Sequence, residues 1–349
     1  MKLSNMAKPV GGCRAMVLEG KGDAKMEQQL QLLTDEQMRR FITHGYLILQ
    51  TNFSDEFHRK LLEQLDYVYE NEGNPGNNLL PRIRELQKVF DSPEIRGALT
   101  SVLGPDYIMH THRYGHLNNI PTPGGWHKDS YWGNYRMRNH MPWWAMIMYF
   151  PQDTPLELGP TGVIPGTQNY ESRTFESDEQ EHEARAAGKA GTFILIHYDI
   201  WHRSTPNLLG KQRYMLKFEF MRTKAPTEPS WAVSDPEWRA PAQLDVPIVR
   251  HDVMWKETWD FLCGKGGRLA EQTGGASDAD ADEIARLKQQ LADADANVRA
   301  EAANRLGVLG ASAVSAGGAE ALAEALTDSF EPVRLNAAYG LAAMGTPGV

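Results

Sequence analysis

Gly125-Trp126-His127-Lys128-Asp129-Ser130 decides the fold once Ile200-Trp201-His202-Arg203-Ser204-Thr205-Pro206-Asn207 is set beside it. Two imidazoles and one carboxylate in the order His-X-Asp…His can hold iron(II) on one face, with three coordination positions open on the opposite face. Side chains alternate along a strand, so His127 and Asp129 share one side and Lys128 faces away. His202 then arrives on another strand, as a jelly roll allows.

The flanking sequence agrees with that architecture. Short apolar or alternating runs at Tyr107 to Tyr114, Trp144 to Phe150, Thr192 to Tyr198 and Tyr214 to Phe220 read as antiparallel strands, punctuated by Pro121-Thr122-Pro123-Gly124-Gly125 and Gly159-Pro160-Thr161-Gly162. Upstream, Thr34-Asp35-Glu36-Gln37 opens a helix, Gly45-Tyr46-Leu47-Ile48-Leu49 reads as a strand, and Ser54 can cap a helix from Phe57 to Tyr69. The polar stretch from Gln168 to Lys189 is expected to leave the barrel and to contain a helix. The fold class is therefore mainly β with flanking helices, a double-stranded β-helix core plus a small all-α unit.

A second His-X-Asp, His197 and Asp199, competes with the first. It ends the apolar run Thr192-Phe193-Ile194-Leu195-Ile196 and has only His202 and His251 downstream of it. We read it as the strand end and turn that aim His202 inward.

Composition narrows the function. The 349 residues carry a formal charge of -9 and no run of five or six basic residues, which disfavours nucleic acid as a partner. No apolar stretch approaches the length of a bilayer span. The two cysteines, Cys13 and Cys263, are far apart and suit a reducing cytoplasm.

Residues 1–30 read as a leader without periodicity, 31–265 as the β domain, 266–279 as a Gly-rich linker and 280–349 as an Ala-rich helical unit. In that unit Leu287, Leu291, Asp293, Val298, Arg299, Ala302, Ala303, Leu306 and Gly310 recur 35 residues later as Leu322, Leu326, Asp328, Val333, Arg334, Ala337, Ala338, Leu341 and Gly345. Each copy reads as two short helices around an Asp-containing turn and resembles a HEAT-like repeat. Two copies are few for a free solenoid, so they either dock on the β domain or belong to a longer array. A protein partner or self-docking through them is expected.

Residues 33 to about 222 resemble the phytanoyl-CoA dioxygenase family of iron(II)/2-oxoglutarate oxygenases. The resemblance is carried by Leu33-Thr34-Asp35-Glu36-Gln37 leading to Gly45-Tyr46-Leu47-Ile48-Leu49, by Trp126-His127-Lys128-Asp129, by Gly159-Pro160-Thr161-Gly162-Val163-Ile164-Pro165-Gly166-Thr167-Gln168, and by Gly191-Thr192 through His202 to Arg213. It implies that His127, Asp129 and His202 ligate iron(II), that 2-oxoglutarate chelates the metal, and that O2 is the third reactant. It also implies Arg213, eleven residues after His202, as the partner of the far carboxylate of 2-oxoglutarate, with Ser204, Met109 and Trp144 or Trp143 near the same pocket. A planar guanidinium suits that carboxylate because it can bind both oxygens.

The implied activity is hydroxylation, or a related oxidation, of an unactivated C–H bond of a small molecule, with release of succinate and CO2. Asp129 favours this outcome, since halogenases of the superfamily replace that carboxylate with a small residue. Candidate substrate contacts are His112 and Tyr114 on the histidine-rich run, and Trp132, Arg136 and Arg138 just after the ligand pair. The alternatives are a cupin-like metal oxygenase or isomerase that does not use 2-oxoglutarate, and an interaction protein whose oxygenase core is silent.

Overall fold

The computed structural model describes residues 29–129, 141–174, 181–267, 269 and 280–345. Trp132, Arg136 and Arg138, the leader up to residue 28 and most of the linker lie outside the described residues.

Local chemistry sets the first elements. Helix α1 (Asp35–His44) begins at Thr34, whose hydroxyl accepts the Gln37 N–H while the Gln37 side chain accepts the Thr34 N–H. This reciprocal box contributes about 1 kcal/mol. Gly45, at φ 81°, closes the helix in the left-handed region and turns the chain into β1 (Tyr46–Gln50). Ser54 caps α2 (Asp55–Asn71), and α3 (Leu79–Arg82), α4 (Glu85–Phe90) and α5 (Pro93–Leu103) complete the helical layer.

The strands that follow are β2 (Tyr107–Asn118), β3 (Trp144–Tyr149), β4 (Thr161–Val163), β5 (Ala184–Arg185), β6 (Thr192–His197), β7 (His202–Ser204) and β8 (Arg213–Arg222). They form a five-stranded antiparallel sheet, β1-β6-β3-β8-β2, and a three-stranded sheet, β5-β4-β7. Alternation divides the large sheet into two faces. Ala145, Ile147, Tyr149, Phe193, Leu195, Leu216, Phe218 and Phe220 pack on the helices, while Met146, Met148, Ile194, Ile196 and Met215 face the barrel interior. Burying both faces accounts for the nearly continuous apolar sequence of β3 and β6.

In the excursion expected to contain a helix, the described residues show none: Thr167–Asn169 is a single 3-10 turn and Ala184–Arg185 a short strand. Residues 175–180 of this stretch lie outside the described residues, and Glu183 follows them. It is pulled inward by Arg203, at 2.8 Å, so this polar segment is tied to the small sheet.

Beyond the barrel, α6 (Asp252–Leu262) leads to the repeats: α7 (Ala281–Gln290), α8 (Ala296–Leu309), α9 (Gly318–Ala325) and α10 (Glu331–Met344). Gly310 and Gly345, equivalent in the two copies, both take positive φ at the end of their helices. The repeats dock on the β domain: Leu335 and Tyr339 of α10 pack against the main core, and α8 and α10 both contact α6.

Candidate metal and cosubstrate site

His127 and His202 meet as direct cross-strand partners. Each N–H donates to the other's carbonyl, at 3.1 and 3.0 Å, so both rings leave the backbone on the same side, with centroids 4.3 Å apart. His127 sits on an isolated bridge rather than in a regular strand, yet this one pairing aligns it. Gly124 makes the approach available: its N–H donates to the Ser204 carbonyl at 2.9 Å, and a Cβ there would lie 2.7 Å from the Ser204 hydroxyl.

On the opposite side of the same two segments, Trp126 faces Arg203, whose guanidinium lies 4.3 Å from the indole centroid. Arg203 is also ion-paired to Glu183, whose side chain is fully buried. Gly162 gives Glu183 its room, since a Cβ at 162 would lie 2.1 Å from the carboxylate. Cation–π contact and ion pair thus clamp the outside of the pair whose inside carries the imidazoles.

Asp129 completes the cluster. One donor atom from each of His127, Asp129 and His202 lies within 4.8 Å of the others. Lys128 points away, as alternation requires, and its ammonium donates to the carbonyls of Thr167, at 2.8 Å, and Asp199. The donor set fits a divalent metal. The Nδ1 atoms of His127 and His202 lie 2.9 and 3.0 Å from the Gly125 and Ile200 carbonyls, which can only accept. Nδ1 therefore carries the proton, and each Nε2 lone pair faces the cluster. Buried His202 Nε2 has no hydrogen-bond partner among the described residues.

Electrostatics agree with that protonation. Burial pushes His202 down to about 4, so its ring is neutral at pH 7. Burial opposes the Asp129 carboxylate, but His202 and Lys217 outweigh it and hold its pKa below the ordinary value. The Lys217 ammonium donates to Asp129 Oδ2 at 2.9 Å.

A cavity of about 260 Å³ opens beside the cluster, lined by His116, His127, His202, Ser204, Arg213 and Lys217 among others. Arg213 is 1% exposed, and neither its Nε nor its Nη1 meets a partner among the described residues. Burial lowers it to about 10, which leaves it cationic at pH 7. A dry guanidinium with unpaired N–H groups is costly by itself and suits an incoming carboxylate. A larger groove of about 450 Å³ lies outside the barrel, where Asp106 and Lys224 pair with each other at 2.7 Å.

The structure distributes the other expected residues unevenly. Ser204 lines the cavity. Met109 does not: paired with Phe220, it packs against the helical core, because strand alternation gives the two a common side. Trp144 faces the barrel interior between His110 and Tyr198, four residues along β3 from the cavity-lining Met148, while Trp143 packs against Phe261 and Arg222 on the other face. His112 and Tyr114 are inward, their rings stacked at 5.9 Å. His197 lies on the helix side, 6.4 Å from the Phe41 ring, with Nδ1 accepting the Asp199 N–H.

His116 belongs to the histidine-rich run read from the sequence, whereas Lys217, Arg203 and Glu183 are not site residues in that reading. Lys217 had a usable signal: it follows Arg213 by four positions on one strand and so shares its face.

The phytanoyl-CoA dioxygenase (PhyH) family model matches residues 31–215, more than half of the chain. The chain belongs to the phytanoyl-CoA dioxygenase family. It is an iron(II)- and 2-oxoglutarate-dependent oxygenase, and a HEAT-repeat model matches residues 284–349. A probable alpha-ketoglutarate-dependent hypophosphite dioxygenase from Stutzerimonas stutzeri is 24% identical over 212 residues, covering 49% of this chain and 73% of that protein. Among solved structures, the non-heme alpha-ketoglutarate-dependent carbocyclase SnoK from nogalamycin biosynthesis is 18% identical with a TM-score of 0.43, covering 54% of this chain and 84% of its own. Apo HygX from Streptomyces hygroscopicus is 12% identical with a TM-score of 0.44, covering 57% and 89% respectively.

Proposed function

We propose that this family member hydroxylates an unactivated C–H bond of a small molecule, converting 2-oxoglutarate and O2 to succinate and CO2 as the substrate gains its oxygen. The observation that carries the reading is the convergence of His127, Asp129 and His202 beside a cavity lined by both histidines and by Arg213, whose Nε and Nη1 meet no partner among the described residues.

In this reading the three residues hold iron(II), which when bound with 2-oxoglutarate supplies the oxidising chemistry. Arg213 anchors the far carboxylate of the cosubstrate, and the Ser204 hydroxyl beside it assists. Met148 and Met215 supply apolar wall next to the cluster and limit water there. His112 and Tyr114, on the inward face of β2, contact the substrate. The protein contributes orientation and charge placement, while the metal carries the oxidation.

The β domain of residues 31–265 performs this reaction and the unit at 280–349 docks on it. No helix among the described residues is long and apolar enough to cross a membrane, and the buried thiol of Cys263 is free. The cytoplasmic site of action we propose rests on the sparse, widely separated cysteines of the sequence.

The test is succinate formation by the purified full chain with iron(II), O2 and 2-oxoglutarate, with and without a panel of small molecules. Iron-dependent succinate is expected, raised by a true substrate together with one hydroxylated product per succinate. Absence of both 2-oxoglutarate binding and succinate in the iron-loaded protein would overturn the reading in favour of a metal enzyme that does not use this cosubstrate.

A further inference from the structure

We infer that the C-terminal repeats are an internal support for the metal site, acting through the segment at 164–172 on which both ligand-bearing segments rest. The inference rests on His127, Asp129 and His202 being the ligands.

Thr167 is the point of convergence. Its carbonyl accepts from Lys128 Nζ at 2.8 Å, and Lys128 lies between His127 and Asp129. Its hydroxyl oxygen accepts the N–H of Trp201, the residue before His202, at 3.2 Å. The Ile164 N–H donates to the Trp201 carbonyl at 3.0 Å. One short segment thus carries both halves of the ligand set.

The other end of that segment is held by the repeats. Tyr170, His251 and Asn336 are all buried and form one directed series. The Tyr170 hydroxyl donates to His251 Nε2, and His251 Nδ1 donates to the Asn336 side-chain oxygen. The Asn336 amide nitrogen donates to the carbonyls of Arg250, at 3.0 Å, and Ala300, at 2.9 Å. A single histidine tautomer satisfies every member, as a buried polar series requires. At the first turn of α10, the Glu331 carboxylate accepts the N–H groups of Glu171 and Ser172, both at 2.7 Å, and also the Ser172 hydroxyl.

Apolar packing fixes the same arrangement. A Cβ on Gly307 would lie 2.9 Å from the Gly340 Cα and 3.2 Å from Val253 Cγ2, so α8, α10 and α6 meet at near-backbone contact. On α10, Leu335 and Tyr339 pack against the main core as well.

Coupling of this kind is reciprocal: if docking raises metal affinity, metal must tighten docking by the same factor. The experiment uses the full chain without oxygen. Iron(II) affinity is measured by calorimetry in the wild type, Glu331→Ala, Asn336→Ala and Arg305→Ala, and amide hydrogen exchange at 170–172 and 331–336 is followed with and without iron(II). Arg305 pairs with Glu283 inside the repeats at 2.7 Å and serves as the control.

Iron(II) should slow exchange at Glu171 and Ser172. Glu331→Ala and Asn336→Ala should weaken iron binding about fivefold, within the roughly two- to thirtyfold range of such couplings, and Arg305→Ala should not. If Glu331→Ala speeds exchange at those amides yet binds iron(II) as tightly as the wild type, or if iron(II) leaves their exchange unchanged, the inference is overturned. Should Asn336→Ala fail to fold, the half-buried Glu331 carries the comparison. A wild type that binds no iron(II) would instead overturn the ligand reading itself.

Discussion

The main chains of His127 and His202 exchange two hydrogen bonds, so the spacing of the imidazoles is set by backbone pairing before either side chain is considered. The substitutions His127→Ala and His202→Ala should therefore remove metal binding while leaving the backbone pair in place. We expect at least about a hundredfold loss of iron-dependent succinate, beyond the range for residues that merely support ligands. Circular dichroism should remain that of the wild type, and retained stoichiometric iron would contradict the assignment.

Arg203 clamps the same pairing from outside. Arg203→Met leaves the Glu183 carboxylate with Arg185, at 2.9 Å, as its remaining cation among the described residues, so it should destabilise by less than the roughly 3 to 5 kcal/mol of a fully broken buried pair. Iron affinity should also fall about tenfold. Arg203→Lys should recover less than half of either effect, because a compact ammonium does not reproduce the stacked, forked contact. Urea unfolding and calorimetry separate the two quantities.

Arg213→Ala should raise the KM for 2-oxoglutarate about thirtyfold, as expected for losing roughly 2 kcal/mol of charge-assisted hydrogen bonding, with iron affinity unchanged. A variant that keeps the wild-type KM would remove Arg213 from the cosubstrate site. The protein itself should gain stability, since the side chain is buried and its Nε and Nη1 meet no partner among the described residues. A rise in Tm of the metal-free variant checks that direction.

Lys217 and a metal ion compete to compensate the same carboxylate. In metal-free protein, Lys217→Met removes a buried partner at 2.9 Å from Asp129 and should destabilise by about 3 kcal/mol. Iron(II) supplies the missing charge, so the increase in Tm on adding metal should be larger in the variant than in the wild type. An equal increase would show that the ammonium is not acting on Asp129.

His116 gives the fold an acid weakness. Burial first, then Lys217 and Arg213, lowers it to about 3, whereas the unfolded chain titrates near 6.5. Between those values the unfolded state binds the extra proton, so the stability this group contributes is present above pH 6.5 and is lost as pH falls toward 3. Metal-free His116→Phe should lose less stability than the wild type between pH 7 and pH 5 in urea titrations. Parallel curves for the two proteins would show that His116 does not contribute.

Much of this site could be read from spacing, and the remainder could not for identifiable reasons. Thr34 and Ser54 are caps by local chemistry, and Arg213 to Phe220 alternates visibly, so elements near them were legible. The pairing of His127 with His202 is a long-range register, and nothing local specifies it. The resemblance implies Met109 in the cosubstrate pocket, but its pairing with Phe220 puts it among the helices. Glu183 and Arg203 are surface-like residues by composition, and only the space left by Gly162 reveals that they are interior.

Strand β8 combines two opposed demands in ten residues. Its outward side contributes Tyr214, Leu216, Phe218 and Phe220 to the apolar core, while its inward side carries Arg213, Lys217 and Glu219 out of contact with solvent. Directed selection for heat resistance would tend to erase those interior charges first, yielding a sturdier protein with a poorer catalytic chamber. A thermostable version of this enzyme must draw its robustness from elsewhere in the molecule.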